Sequence, residues 1–250
     1  MPFNRCLCAG LLFLVALSAQ SQDLAATCGA SSSYDLTLKP DSLLFDRPAP
    51  APFHVEMQHG ALRVDGAAVS LNAENQDRLS LFERELRALA PRVRTVARNG
   101  VDIAAQALRD EADGLGLSVD GRTEFGRRLD AHAAEMKRRI SVSQSTHDWQ
   151  GDAATRAMDQ MAADLLPLLA SELAQQALQA ALSGDLHAAA ALRDRATDLA
   201  TEMQPRVISR MQVLRPQIQA LCPAIKRLAS LQEGVRAGDG TPLNLLQITP

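Results

Sequence analysis

At Asn72 the spacing of apolar residues in this chain changes from a period of two to spacings of three and four. A period of two belongs to an extended strand with one buried face, and spacings of three and four to one face of a helix. Upstream, Tyr34, Leu36 and Leu38 alternate with Asp35, Thr37 and Lys39. Pro40-Asp41 interrupts this run, Leu43-Leu44-Phe45 follows, and Pro48, Pro50 and Pro52 mark a loop. Alternation resumes at Phe53, Val55 and Met57, turns at His59-Gly60, continues through Leu62 and Val64, and ends on Val69 and Leu71. Asp65-Gly66 between apolar runs is a strong two-residue hairpin signal. Residues 34–71 therefore read as a small antiparallel sheet, within an N-terminal β element spanning 22–71.

Downstream, Asn72 suits an N-cap and Glu74 suits the positive end of the helix dipole. Leu79, Phe82, Leu86, Leu89, Val93 and Val96 form one stripe, with Pro91 expected to kink or break it. Asn99-Gly100 reads as an interruption, after which Val101, Ala104, Leu108, Ala112 and Leu115 carry a second stripe. Phe125, Leu129, Met136 and Ile140 define another helix, and residues 143–151 a polar loop holding the only Trp. A long helix follows from about 152 to 182, with Pro167 as a kink, and helix resumes over 186–236. The expected fold is α+β and predominantly helical. A short N-terminal antiparallel β element precedes a helical body over 72–236, either a multi-helix bundle or an elongated one, and residues 237–250 form a flexible tail.

Aromatic residues make up 3% of the chain against 46% hydrophobic residues in all, so Leu, Ala, Val, Ile and Met must build the core. That scarcity opposes a base-stacking surface, and the interspersed charges, net −3, leave no basic face for nucleic acid. Residues 1–21 carry Arg5, a short apolar run over 6–17 and the small residues Ala19 and Ser21, the pattern of a cleaved secretory signal peptide. No later run is long and apolar enough to span a membrane. The mature chain is expected in a periplasm, carrying a net charge of −4 once Arg5 is lost. Cys6 and Cys8 leave with the signal. Cys28 and Cys222 remain, an even pair whose two readings are one disulfide in an oxidising compartment or two buried thiols.

Motifs for nucleophilic, phosphate, dinucleotide and metalloprotease chemistry do not occur, and no cofactor or metal is expected. His132 and Glu135 share a helix face but lack a third ligand. His54 and His59 are separated by an odd number of positions and would face opposite ways along a strand. His147-Asp148-Trp149 is the most chemically varied segment, and His147 and Asp148 are the residues around which a dispersed enzyme site would form. Met158, Met161, Met203 and Met211 recur at helical spacing, which suits core filling better than an adaptable binding surface.

Residues 60–91, GALRVDGAAVSLNAENQDRLSLFERELRALAP, join a Gly-x-Leu strand, an Asp-Gly turn, Ser-Leu-Asn and a helix ending near a Pro. With Cys28 ahead of Asp35-Leu36-Thr37-Leu38, and Cys222 ahead of Leu228 and Leu231, this pattern resembles the YggN-like family of exported Gram-negative proteins. The resemblance implies a periplasmic protein and supports a Cys28–Cys222 bridge. It brings no activity, substrate or catalytic residue. The function expected is non-enzymatic protein binding, holdase-like or directed at an envelope partner; the alternative is an envelope enzyme with its site near His147 and Asp148.

Overall fold

A computed structural model describes residues 27–149 and 152–248, so the expected signal peptide lies outside the described residues. The described strands are β1 (Ala30–Ser31), β2 (Asp35–Leu38), β3 (Leu43–Asp46), β4 (His54–Gln58), β5 (Ala61–Val64), β6 (Ala67–Val69) and β7 (Gln247–Ile248). The helices are α1 (Ala73–Gly114), α2 (Val119–Val142), α3 (Asp152–Leu182), α4 (Leu186–Met211), α5 (Arg215–Gln219) and α6 (Cys222–Gln232). The fold is α+β and predominantly helical. The chain forms two compact units, and α1 contributes its first part to one and its second part to the other.

The sheet unit comprises the described residues of Gln20–Ala97, Ser141–Ala153 and Arg215–Pro250. Strands β2 to β6 form an antiparallel meander in chain order. Its register places Phe45 opposite Val55, Val55 opposite Val64, and Met57 opposite both Leu43 and Leu62. One face of the meander is thus a continuous apolar surface. Leu79, Phe82, Leu86 and Leu89 of α1 close on it, joined by Leu221, Leu228, Val235, Leu243 and Leu245. Asn72 caps α1, its side chain accepting from the Asn75 amide at 2.8 Å. Two expectations need correcting here. Helix α1 runs unbroken through Pro91 and Asn99-Gly100, because the apolar stripe persists on both sides and tertiary burial outweighs local propensity. Nor are residues 237–250 a flexible tail as far as Ile248. Leu243 and Leu245 are fully buried, and β7 pairs with β1.

Cys28 and Cys222 are joined by a disulfide, with Cα atoms 5.1 Å apart. Gln232, at the end of α6, accepts from the amides of Leu245 and Leu246 at 2.8 and 3.1 Å and donates to the Leu246 carbonyl. Buried Glu83 accepts from the His59 amide at 2.9 Å and pairs with Arg87, whose guanidinium also holds the Lys39 and Ser42 carbonyls.

The helical unit comprises Arg98–Ile140 and Ala154–Leu214 among the described residues. Ala105, Leu108, Ala112, Leu115, Phe125, Leu129, Leu165 and Leu169 form its core, with Met161 and Val207 packed on the edge. Ion pairs knit its helices: Lys137–Asp102 at 2.6 Å and Arg109–Asp130 between α1 and α2, and Arg206–Glu111 at 2.7 Å between α1 and α4. Arg128 and His132 of α2 share Asp164 of α3 at 2.6 and 3.0 Å. Helices α3 and α4 continue through Pro167 and Pro205.

Candidate functional site

Two places in the molecule bear on function, and the first is the segment holding His147 and Asp148. Residues Thr146–Trp149 form a short 3-10 turn docked along the outer edge of β2. The Leu38 amide donates to the Gln144 carbonyl at 2.7 Å, and the Leu36 amide to Thr146 Oγ1 at 2.8 Å. The segment thereby occupies backbone groups that an edge strand would otherwise leave open. Trp149 donates its indole N–H to Ser143 Oγ at 2.8 Å, which ties the turn to the residue that follows α2. Asp148 accepts from the same Ser143 hydroxyl at 2.9 Å and from the Ser145 amide at 3.3 Å.

His147 does not meet Asp148. Its Nδ1 lies 3.4 Å from Asp35 Oδ2, and its side chain is 79% exposed. Catalytic pairs of this kind need a positioned nucleophile and exclusion of water to strengthen their electrostatics. Here the histidine is solvated and the neighbouring serines are committed to turn hydrogen bonds. The remaining sequence candidates are scattered. His132 turns to Asp164, while Glu135 pairs with Arg138 and Arg139. His54 pairs with Asp46 at 2.5 Å, and His59 offers its backbone amide to Glu83. Among the described residues no group of three metal-ligating side chains converges. Of the four methionines at helical spacing, Met161 packs on the edge of the helical core, and the side chains of Met158 and Met203 lie outside the described residues. A small apolar cleft lined by Leu108, Leu115, Phe125, Met161 and Leu169 has room for a water or two, too little for an organic ligand.

The second place is the turn between α3 and α4. Ser183-Gly184-Asp185 reverses the chain, with Gly184 at φ +81° and the Asp185 carboxylate capping α4 through the Ala188 amide at 2.9 Å. Around it Leu178, Leu182 and Leu186 are 61, 80 and 73% exposed. From Leu173 to Leu192 the one carboxylate or basic side chain other than His187 is Asp185, and alanines fill most intervening positions. The carboxylate that interrupts this surface is turned to its own helix terminus. The result is a charge-poor, leucine-studded hairpin end, in a chain with charges at 22% of its positions.

Helical periodicity conceals this surface, because Leu173 and Leu178 continue the stripe that buries Leu165 and Leu169. The signal in the sequence is the missing charge. A solvated helix face is expected to alternate charged residues, and this stretch does not.

A family model described as a protein of unknown function, DUF2884, matches residues 28–239, from the first disulfide cysteine to beyond α6. No curated protein and no solved structure matches the chain.

Proposed function

The chain belongs to the DUF2884 family, and within it we propose an exported periplasmic protein that binds other polypeptides without catalysis, using the α3–α4 hairpin end to hold apolar segments of unfolded clients. The observation carrying this reading is the exposure of Leu178, Leu182 and Leu186 on a surface whose one carboxylate is Asp185. Exposed apolar surface costs solubility and marks interaction sites when it is contiguous. Burying a leucine side chain fully contributes about 1.5–3 kcal/mol, and association offsets several kcal/mol of such gains. Three partly exposed leucines thus support weak, reversible capture, which suits transient holding better than a permanent complex.

The compartment and the narrower kinship with YggN-like proteins belong to the same proposal. The signal-like residues 1–21 and the Cys28–Cys222 disulfide support export to an oxidising space. No described helix is long and apolar enough to cross a membrane. The enzyme alternative near His147 and Asp148 gains no support from their geometry.

The test uses protein taken from a periplasmic fraction, whose mass should match a chain lacking residues 1–21. Light scattering then follows the aggregation of reduced, denatured lysozyme with and without it. Wild type should slow aggregation in a dose-dependent way, and replacing all three leucines by Gln should weaken that effect severalfold while circular dichroism stays unchanged. Equal protection by the triple variant, or none by wild type, would discard the reading.

A further inference from the structure

We infer that α6 is a redox-locked clasp for residues 27–31 and 243–248, so that the sheet unit closes only once residues 243–248 are in place and these two segments are locked when Cys28 and Cys222 are oxidised. The two fastenings sit at opposite ends of the same eleven-residue helix. Its first residue, Cys222, carries the bond to Cys28. Its last, Gln232, grips the backbone of Leu245 and Leu246 through three hydrogen bonds. The two segments also hold each other, since Ala30 pairs with Ile248 and Ser31 with Gln247. Tyr34, three positions beyond β1, donates its hydroxyl to the Leu243 carbonyl at 3.4 Å and the Pro52 carbonyl at 3.2 Å.

The order of the chain gives this arrangement a consequence. Strands β2 to β6 and the start of α1 are complete by residue 97, yet their shared core includes Leu221, Leu228, Val235, Leu243 and Leu245. Until those residues arrive, the apolar face of the meander lacks part of its cover, and a sheet without a covered face is marginal in water. Besides the disulfide, residues 30–31 are held by a two-residue ladder, which is too short to be stable alone. The bridge closes a separation of 194 positions, a range in which a crosslink removes much denatured-chain entropy. A chain built this way stays open while residues 243–248 are withheld, and locks in an oxidising space.

The full-length mature protein tests this without truncation. Reduced protein is refolded and pulse-labelled by amide hydrogen exchange, and oxidised protein is measured in parallel at equilibrium. Strand segments 35–38, 43–46 and 54–58 should gain protection together with 243–248 and not before. Reduction at equilibrium should lower protection of 27–31 and 247–248 by about tenfold or more while α2 and α3 are unchanged. A Gln232→Leu variant, which keeps a side chain of similar size but no amide, should lose protection at 245–248 even when oxidised. Two results would overturn the inference: full protection of the strands while 243–248 still exchanges, or equal protection of both segments in reduced and oxidised protein.

Discussion

At the level of single residues, the sheet unit is held by a few side chains whose environments leave no freedom. Gly60 follows His59 in the turn between β4 and β5, at φ +83°. A Cβ placed there would lie 2.4 Å from Ser80 Oγ and 2.5 Å from the Gln76 carbonyl oxygen of α1. The serine can rotate away, but the helix backbone cannot. Gly60→Ala therefore combines a left-handed backbone with a clash, and should cost about 2–4 kcal/mol of sheet-unit stability. Trp149, the only tryptophan, lies in that unit and reports on it. Urea titrations followed by its fluorescence should show the loss, and an unchanged midpoint would mean that the turn is not constrained by α1. The residues on either side illustrate what the sequence conveys. His59-Gly60 is legible as a turn from composition alone, whereas the burial of Glu83 against the His59 amide depends on a contact across 24 positions and leaves no local trace.

Among the elements, the strands were legible and the helix breaks were not. The alternation is plainest in β4 and β5, where buried residues alternate with more exposed ones, so the pattern of each strand depends only on itself; in β3 Leu43, Leu44 and Phe45 are all buried, and the run reads as continuously apolar. Pro91 and Asn99-Gly100, for the opposite reason, do not end α1: the long stripes to either side stay buried, and the hydrogen bond lost at the proline does not outweigh them. The C-terminal segment is hard to read from sequence because its apolar residues, Leu243 and Leu245, follow a Gly-rich turn and have no period long enough to count. Helix α2 shows what its own charges do. Glu124, bonded to Arg127 and Arg128, has its pKa lowered to about 2, and Glu135, bonded to Arg138 and Arg139, likewise to about 2. The ordinary value is 4.5, so the folded state binds fewer protons than the unfolded one between these limits. The stabilisation from these pairs is complete above the ordinary value and is lost as pH falls toward 2. Thermal unfolding followed at 222 nm should show this decline at low salt. It should be smaller in the double variant Glu124→Gln/Glu135→Gln and in molar salt, because both clusters are open to solvent. An identical pH slope in wild type and variant would show that the pairs do not contribute.

For the whole molecule, the disulfide and the hairpin end bear on different properties. The loop closed by Cys28 and Cys222 contains the entire α3–α4 hairpin. Loop-closure entropy depends on the logarithm of loop length, so removing some ten residues from a loop of this size changes stability by less than about 0.1 kcal/mol. The exposed leucines add little to either core, since the buried side chains of the helical unit are supplied by Leu165, Leu169, Leu173 and the residues of α1 and α2. Shortening the hairpin by deleting 176–182 and 186–189, with Ser183-Gly184-Asp185 kept as the reversal, should leave the Trp149 unfolding midpoint unchanged. The 222 nm signal should fall only in proportion to the helix removed. The binding surface goes with the deletion, so protection of denatured lysozyme should disappear. Loss of sheet-unit stability in this variant would mean that the hairpin end supports the fold, and its leucines would then need a structural explanation instead of a client.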